Sequence, residues 1–139
     1  MTEQEIHTIC KEYKIKNYSI NPDGSIDVDG NVDLSYMDLT EIPLKFNKVS
    51  GSFYCHDNQL KSLVGGPKEV GRNFDCYNNQ LTSLERSPIE LGGSFYCYKN
   101  QLTSLEGYNG EYDKLYCNNK DGLILKLKRK QKLKLINIL

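Results

Sequence analysis

Apolar residues recur at one fixed spacing through the middle of the chain. Phe53, Phe74 and Phe95 stand 21 residues apart, and the sets Cys55, Cys76 and Cys97, Leu60, Leu81 and Leu102, and Leu63, Leu84 and Leu105 keep the same interval. Phe-x-Cys alternates apolar and polar positions, as a half-buried strand does. Phe and Cys then share one face, while Tyr54, Asp75 and Tyr96 point the other way. The Asn-Gln-Leu-x-x-Leu that follows turns the chain and buries two leucines. A 21-residue segment cannot cover its own apolar face, so the copies must stack against one another. Each fully buried Leu or Phe contributes roughly 1.5–3 kcal/mol. Asn58, Asn79 and Asn100 also keep the period. Their amides fall where a turn leaves backbone groups unpaired. A bond made there nets about 1 kcal/mol, whereas an orphaned buried group costs about 1–3 kcal/mol.

The pattern weakens towards both ends. Residues 32–43 form a diverged first copy, with Val32, Leu34, Leu39 and Ile42 in the repeat positions and Met37 in place of the asparagine. A first copy has no upstream neighbour to bond. The return segments, 45–52, 65–73 and 86–94, keep Val49, Val70 and Leu91 pointing inward. Pro67 and Pro88 favour extended or tightly turned backbone there. Gly71 and Gly92 allow a left-handed or crowded conformation. No long helix fits on this side, so irregular backbone or short 3₁₀ turns are expected. The last copy starts at Leu115-Tyr116-Cys117 and is one residue short; Lys120 replaces its asparagine, with Asn118 and Asn119 beside it.

Ahead of the repeats, Thr2 and Glu5 fit a capping box, and Ile6, Ile9, Cys10 and Tyr13 make one apolar stripe. This predicts a helix over 2–13 that covers the first open end of the stack. Asn21-Pro22-Asp23-Gly24 predicts a turn within a hairpin spanning 18–28. Behind the repeats, Leu123, Leu125, Leu127, Leu133 and Leu135 alternate with Lys126, Lys128, Lys130, Lys132 and Lys134. Period-2 alternation favours a strand, or a hairpin turning near 129–132; Ile124, Leu127, Leu135 and Ile138 leave a helix open. The chain reads as one domain: an N-terminal cap (1–31), repeats (32–120) and a basic C-terminal cap (121–139).

The runs FYCHDNQLKSL, FDCYNNQLTSL and FYCYKNQLTSL, and the wording GGSFYCYKNQLTSLEG, resemble the leucine-rich repeat, in a form similar to small repeat proteins of bacteria and tailed phages. The resemblance covers about residues 32–119. It implies a leucine-rich-repeat stack; with the caps read above, the expected fold is a β-rich α+β solenoid of about 21-residue turns with one parallel sheet, an N-terminal helix and hairpin cap, and a C-terminal cap of strand, hairpin or helix. In proteins of this kind the outward sheet face is a concave binding surface. A phage origin would imply a host-directed role, such as blocking a defence protein.

Composition narrows the chemistry. Formal net charge is zero, so no global field favours nucleic acid or membrane. There is no apolar run long enough for a membrane span and no signal peptide at Met1, so a cytoplasmic protein is expected. The four cysteines of the strands fall at one inward position and predict a ladder of small buried thiols about 4.8 Å apart. Zinc needs ligands converging on one point, usually in C-x-x-C pairs, and there are none. Asp23, Asp27, Asp29 and Asp33 lack the closing Glu of a calcium loop, and turn chemistry accounts for them. The only histidines are His7 and His56; no nucleophile set and no phosphate loop is present. The sequence therefore predicts no enzyme, no cofactor and no metal.

Two regions remain as candidate sites. The outward face carries Asp33, Ser35 and Tyr36, then Tyr54, His56 and Asp57, then Asp75, Tyr77 and Asn78, then Tyr96, Tyr98 and Lys99, then Tyr116 and Asn118. Holding the fold does not require rings there. Tyrosines suit protein recognition, so Tyr54, His56, Asp75, Tyr77, Tyr96, Tyr98 and Tyr116 are the expected partner contacts. Stacking of these rings for sheet stability alone is the competing explanation. The second region is the tail. Its five lysines and Arg129 against Asp121 give it +5 and leave −5 on the rest of the chain. Lys126, Lys128, Arg129, Lys130, Lys132 and Lys134 could contact a polyanion such as nucleic acid, although the tail has no ring to stack on bases. Residues 122–139 could instead join copies of the chain through their leucines.

Overall fold

The computed structural model describes residues 1–138. The elements run in chain order as α1 (Glu3–Glu12), β1 (Tyr18–Ile20), β2 (Ile26–Val28), β3 (Val32–Asp33), β4 (Phe46–Val49), β5 (Phe53–Tyr54), β6 (Glu69–Val70), β7 (Phe74–Asp75), β8 (Glu90–Leu91), β9 (Phe95–Tyr96), β10 (Leu115–Tyr116) and α2 (Lys120–Ile138). Stacked turns at the 21-residue interval make a β-solenoid. The strands expected from Phe-x-Cys pair in parallel in the order β3-β5-β7-β9-β10. Register follows the repeat: Phe53 lies opposite Phe74, and Phe74 opposite Phe95. The short last copy still pairs, with Leu115 opposite Phe95.

The expectation of one sheet with an irregular return side is corrected. A second sheet runs β1-β2-β4-β6-β8, parallel except for the β1–β2 hairpin. Turns of equal length bring both sides into pairing register, so Val49 lies opposite Val70, and Val70 opposite Leu91. Val49 and Val70 are buried; Leu91, on the last return strand, is half-buried. Of the two roles open to Gly71 and Gly92, close approach is the real one. A Cβ on Gly71 would stand 2.0 Å from the Ser50 carbonyl oxygen, and one on Gly92 2.1 Å from that of Gly71. The one 3₁₀ turn among the described residues, Tyr112–Lys114, leads into β10.

The core lies between the sheets. Phe53 and Phe74 stack at 5.4 Å, Phe74 and Phe95 at 4.9 Å, and the column is closed edge-on by Phe46 at one end and Tyr108 at the other. The asparagine ladder forms as the spacing predicts. Asn79 Nδ2 donates to the carbonyls of Cys55 and Cys76, at 3.0 and 3.1 Å, and its Oδ1 accepts from Leu60 N at 3.0 Å. Asn58 and Asn100 repeat this one turn up and one turn down. The residue before each ladder position, at Tyr36, Asp57, Asn78 and Lys99, has φ of 55–56°. That left-handed step re-aims the chain so the amide faces inward.

At the N-terminus, Thr2 and Glu5 complete the capping box, and Ile6 and Cys10 join the core. His7, off the stripe, has its Nδ1 2.5 Å from the Tyr18 hydroxyl. The C-terminal cap is a helix, and the favoured strand or hairpin over 122–139 is not found for the described residues. Leu, Lys, Arg and Gln are all good helix formers, and a helix satisfies its own backbone groups without a partner strand. Leu123 is buried and Ile124 and Leu127 are half-buried against the last turn.

Candidate functional site

The outward side chains of the first sheet form three columns set by the pleat and the turn. Asp33, Tyr54, Asp75, Tyr96 and Tyr116 make the first, in strand register. Ser35, His56, Tyr77, Tyr98 and Asn118 hold the second position beyond these, and Tyr36, Asp57, Asn78 and Lys99 the left-handed step. The seven residues expected to contact a partner therefore share one surface. Tyr98 and Tyr116 are exposed, and Tyr54, His56, Asp75, Tyr77 and Tyr96 are half-buried.

Ring packing is uneven across this surface. His56 and Tyr77 stack at 4.3 Å, and Tyr96 and Tyr116 at 5.1 Å. Tyr36 and Tyr54 each meet His56 edge-on. Part of the aromatic face is thus tied into cross-strand pairs, as the stability explanation requires. Tyr36, at the rim, is 75% exposed.

Two of the three carboxylates of the face, Asp57 and Asp75, have opposite environments. Asp57 accepts from His56 Nδ1 at 2.7 Å and from Asn78 Nδ2 at 2.5 Å. Those hydrogen bonds hold its carboxyl below the usual range. Its charge in turn raises the Tyr36 hydroxyl. Asp75 sits at the middle of the first column, between Tyr54 and Tyr96. Among the described residues no group donates to its buried Oδ1. Burial pushes the Asp75 carboxyl up, against a smaller downward pull from His56. Sequence reasoning placed both acids on the face but could not separate them. The difference lies in the left-handed step, which turns Asp57 towards donors.

Elsewhere the structure arranges other candidates. All five cysteines are free and buried, Cys10 included. Burial pushes the Cys55 and Cys76 thiols up, and the hydrogen bond with Cys117 together with burial raises Cys97. The turn acids are engaged locally: Asp23 accepts from the Ser25 amide and hydroxyl, and Asp27 from Asn21 and Asn47. The tail cations lie on α2. Lys130 pairs with Glu106 and Lys126 donates to the Thr103 carbonyl at 2.8 Å, so these two hold the helix to the body. Lys128, Arg129, Lys132 and Lys134 are exposed. A shallow hollow of about 750 Å³ over the second sheet is lined by Tyr18, Asp27, Lys48, Glu69 and Glu90, a charged row that the sequence reading did not single out.

No described helix is long and apolar enough to cross a membrane. Comparison with protein-family models, curated proteins and solved structures returns no match.

Proposed function

We propose that the protein is a non-enzymatic recognition module of the leucine-rich-repeat kind that binds a protein partner through the tyrosine face of its first sheet. The observation that carries this reading is the presence of large rings on a surface the core does not need. Phe53, Phe74 and Phe95 close the interior on the opposite side of the same strands, at 0% exposure, while Tyr98 and Tyr116 stay 40% and 38% exposed. Rigid rings with polar tips give contact area at low entropic cost. The resemblance to phage and bacterial repeat proteins favours a host-directed role in the cytoplasm, with a defence protein as target.

Changing Tyr77 and Tyr98 together to Ala tests it. These residues hold the same outward position on adjacent turns. A hot spot there is worth roughly 2 kcal/mol or more, about a thirtyfold loss of affinity for a partner captured from the host. The stack beneath should persist, because cross-strand pairs contribute only about 0.2–1 kcal/mol each. A folded double variant that still captures the partner removes this reading. A variant that unfolds makes the rings structural.

A second reading has its own observation. Leu133, Leu135 and Ile136 are exposed on α2 among free lysines. Self-association through residues 122–139, or contact with a polyanion, would use them. Light scattering separates the first, and loss of binding between low and moderate salt marks the second.

A further inference from the structure

The geometry points to Asp75 as the receptor for an arginine side chain of the protein partner, seated between Tyr54 and Tyr96. This inference rests on the tyrosine-face reading and gives it a chemistry. In the first column a short acid stands between two tall rings, in strand register with both. Two strand spacings separate the flanking chains, about 10 Å. A flat group touching a ring on each face needs about 7–8 Å, twice the carbon contact distance. The strand spacing is therefore enough for one planar group between Tyr54 and Tyr96, above the carboxylate. Its walls are braced: Tyr96 stacks on Tyr116 at 5.1 Å, and Tyr54 meets His56, which itself stacks on Tyr77 at 4.3 Å.

The floor of the slot calls for a donor. Oδ1 of Asp75 is shielded from water and accepts no hydrogen bond among the described residues. An unpaired buried acceptor is costly in the free protein, and a bound N–H removes that cost. His56, whose charge pulls on Asp75, has its Nδ1 committed to Asp57 at 2.7 Å. Burial raises the Asp75 carboxyl, and a cation brought beside it would lower it again. The terminal torsion of Asp is broad, so either oxygen can turn to a ligand.

Arginine fits these features together. Its guanidinium is planar, stacks on aromatic faces and carries five N–H donors in a fork. A lysine ammonium donates but cannot fill a flat slot. A quaternary ammonium suits the rings but has no N–H for the carboxylate. The body outside the tail carries net −5, which favours a basic partner surface around that arginine.

The test uses the intact protein and small probes. N-acetylarginine methylamide is titrated while the tyrosine ring signals are followed by NMR, with N-acetyllysine methylamide and tetramethylammonium as comparisons. Saturable shifts at Tyr54 and Tyr96 are expected with the arginine probe, weaker ones with the other two. Asp75→Asn should bind the arginine probe about tenfold more weakly or worse, the loss of one charge-assisted hydrogen bond, while its melting temperature stays equal or rises. Equal binding by both proteins overturns the inference, and so does tetramethylammonium binding as well as the arginine probe. Because the probe ranking is read on the unmutated chain, an unstable variant does not remove the test. If the arginine probe fails while Tyr77→Ala with Tyr98→Ala still abolishes partner capture, the arginine slot is wrong and the recognition face stands. Arginine binding with partner capture indifferent to those tyrosines, but lost in Asp75→Asn, keeps the slot and overturns the wider face.

Discussion

The repeat stack and the C-terminal helix are built from similar residues and behave oppositely. In the stack, the period of the apolar pattern equals the period of the structure. Phe53, Phe74, Phe95, Leu60 and Leu81 are all at 0% exposure. In α2 the two periods disagree. Leucine and lysine alternate with period 2, while a helix turns every 3.6 residues, so leucines fall on all sides. Among the apolar side chains described, Leu123, Ile124 and Leu127 pack on the body; residues 128–137 are exposed throughout. Towards the body the leucines give way to Lys130, which meets Glu106. Alternation therefore specifies a strand only where neighbouring backbone receives it. Within the repeats neighbouring turns supply that backbone; after β10 the described residues add no further strand to the sheet edge, and the helix propensity of Leu and Lys favours α2.

The largest expected effect sharpens the contrast from the stack side. Phe74→Ala removes the middle ring of a stacked column between Phe53 and Phe95. A loss of about 3–5 kcal/mol is expected, read by urea or thermal unfolding. A loss below about 1.5 kcal/mol, the range of a tolerated swap, would mean that the turns close over the gap and the column is not the organising core.

The ladder separates the middle of the stack from its end at a smaller scale. Asn79 Oδ1 accepts from Leu60 N of the neighbouring turn, its Nδ2 donates to the carbonyls of Cys55, Cys76 and Tyr77, and it is 7% exposed. Asn79→Ala should cost about 1–3 kcal/mol. Asn118 is exposed, and its Oδ1 accepts one bond, from Lys99 N at 2.7 Å. Its replacement by Ala should cost clearly less. Equal losses from the two changes would show that the energy does not reside in burial of the amide.

The stack was largely legible because each residue type says the same thing several times. Phe, Cys, Leu and Asn repeat in register, so a single misread position could not move the strands. The second sheet was missed although Val49 and Val70 were placed inward. Two-residue strands such as Glu69–Val70 carry too little alternation to be seen, and pairing there follows from equal turn length rather than from local pattern. The tail misled for the opposite reason: its alternation is long and strong, yet the described residues form α2 and do not extend the sheet beyond β10. At the site, the outward columns could be read from the pleat. The opposed states of Asp57 and Asp75 could not, because they depend on the left-handed φ at Asp57 and on which donors that turn brings within reach.

The smallest expected effect tests the comparison from the helix side. Leu133→Gln, Leu135→Gln and Ile136→Gln each change a side chain that is 56–63% exposed. Glutamine is a good helix former, and exposed positions away from a buried feature shift stability by about 0.5 kcal/mol or less. Unfolding midpoints should therefore stay close to that of the unmutated chain, and helicity by circular dichroism should hold. The same triple change in the stack would be ruinous, since any polar residue at Phe53, Leu60 or Leu81 buries an unpaired group. Two outcomes break the contrast. A marked loss of stability at low protein concentration would mean that these leucines are covered within one chain. A loss that grows with concentration, together with a fall in the sedimentation coefficient, would mean that copies of the chain cover them, and the exposed half of α2 would then be an interface.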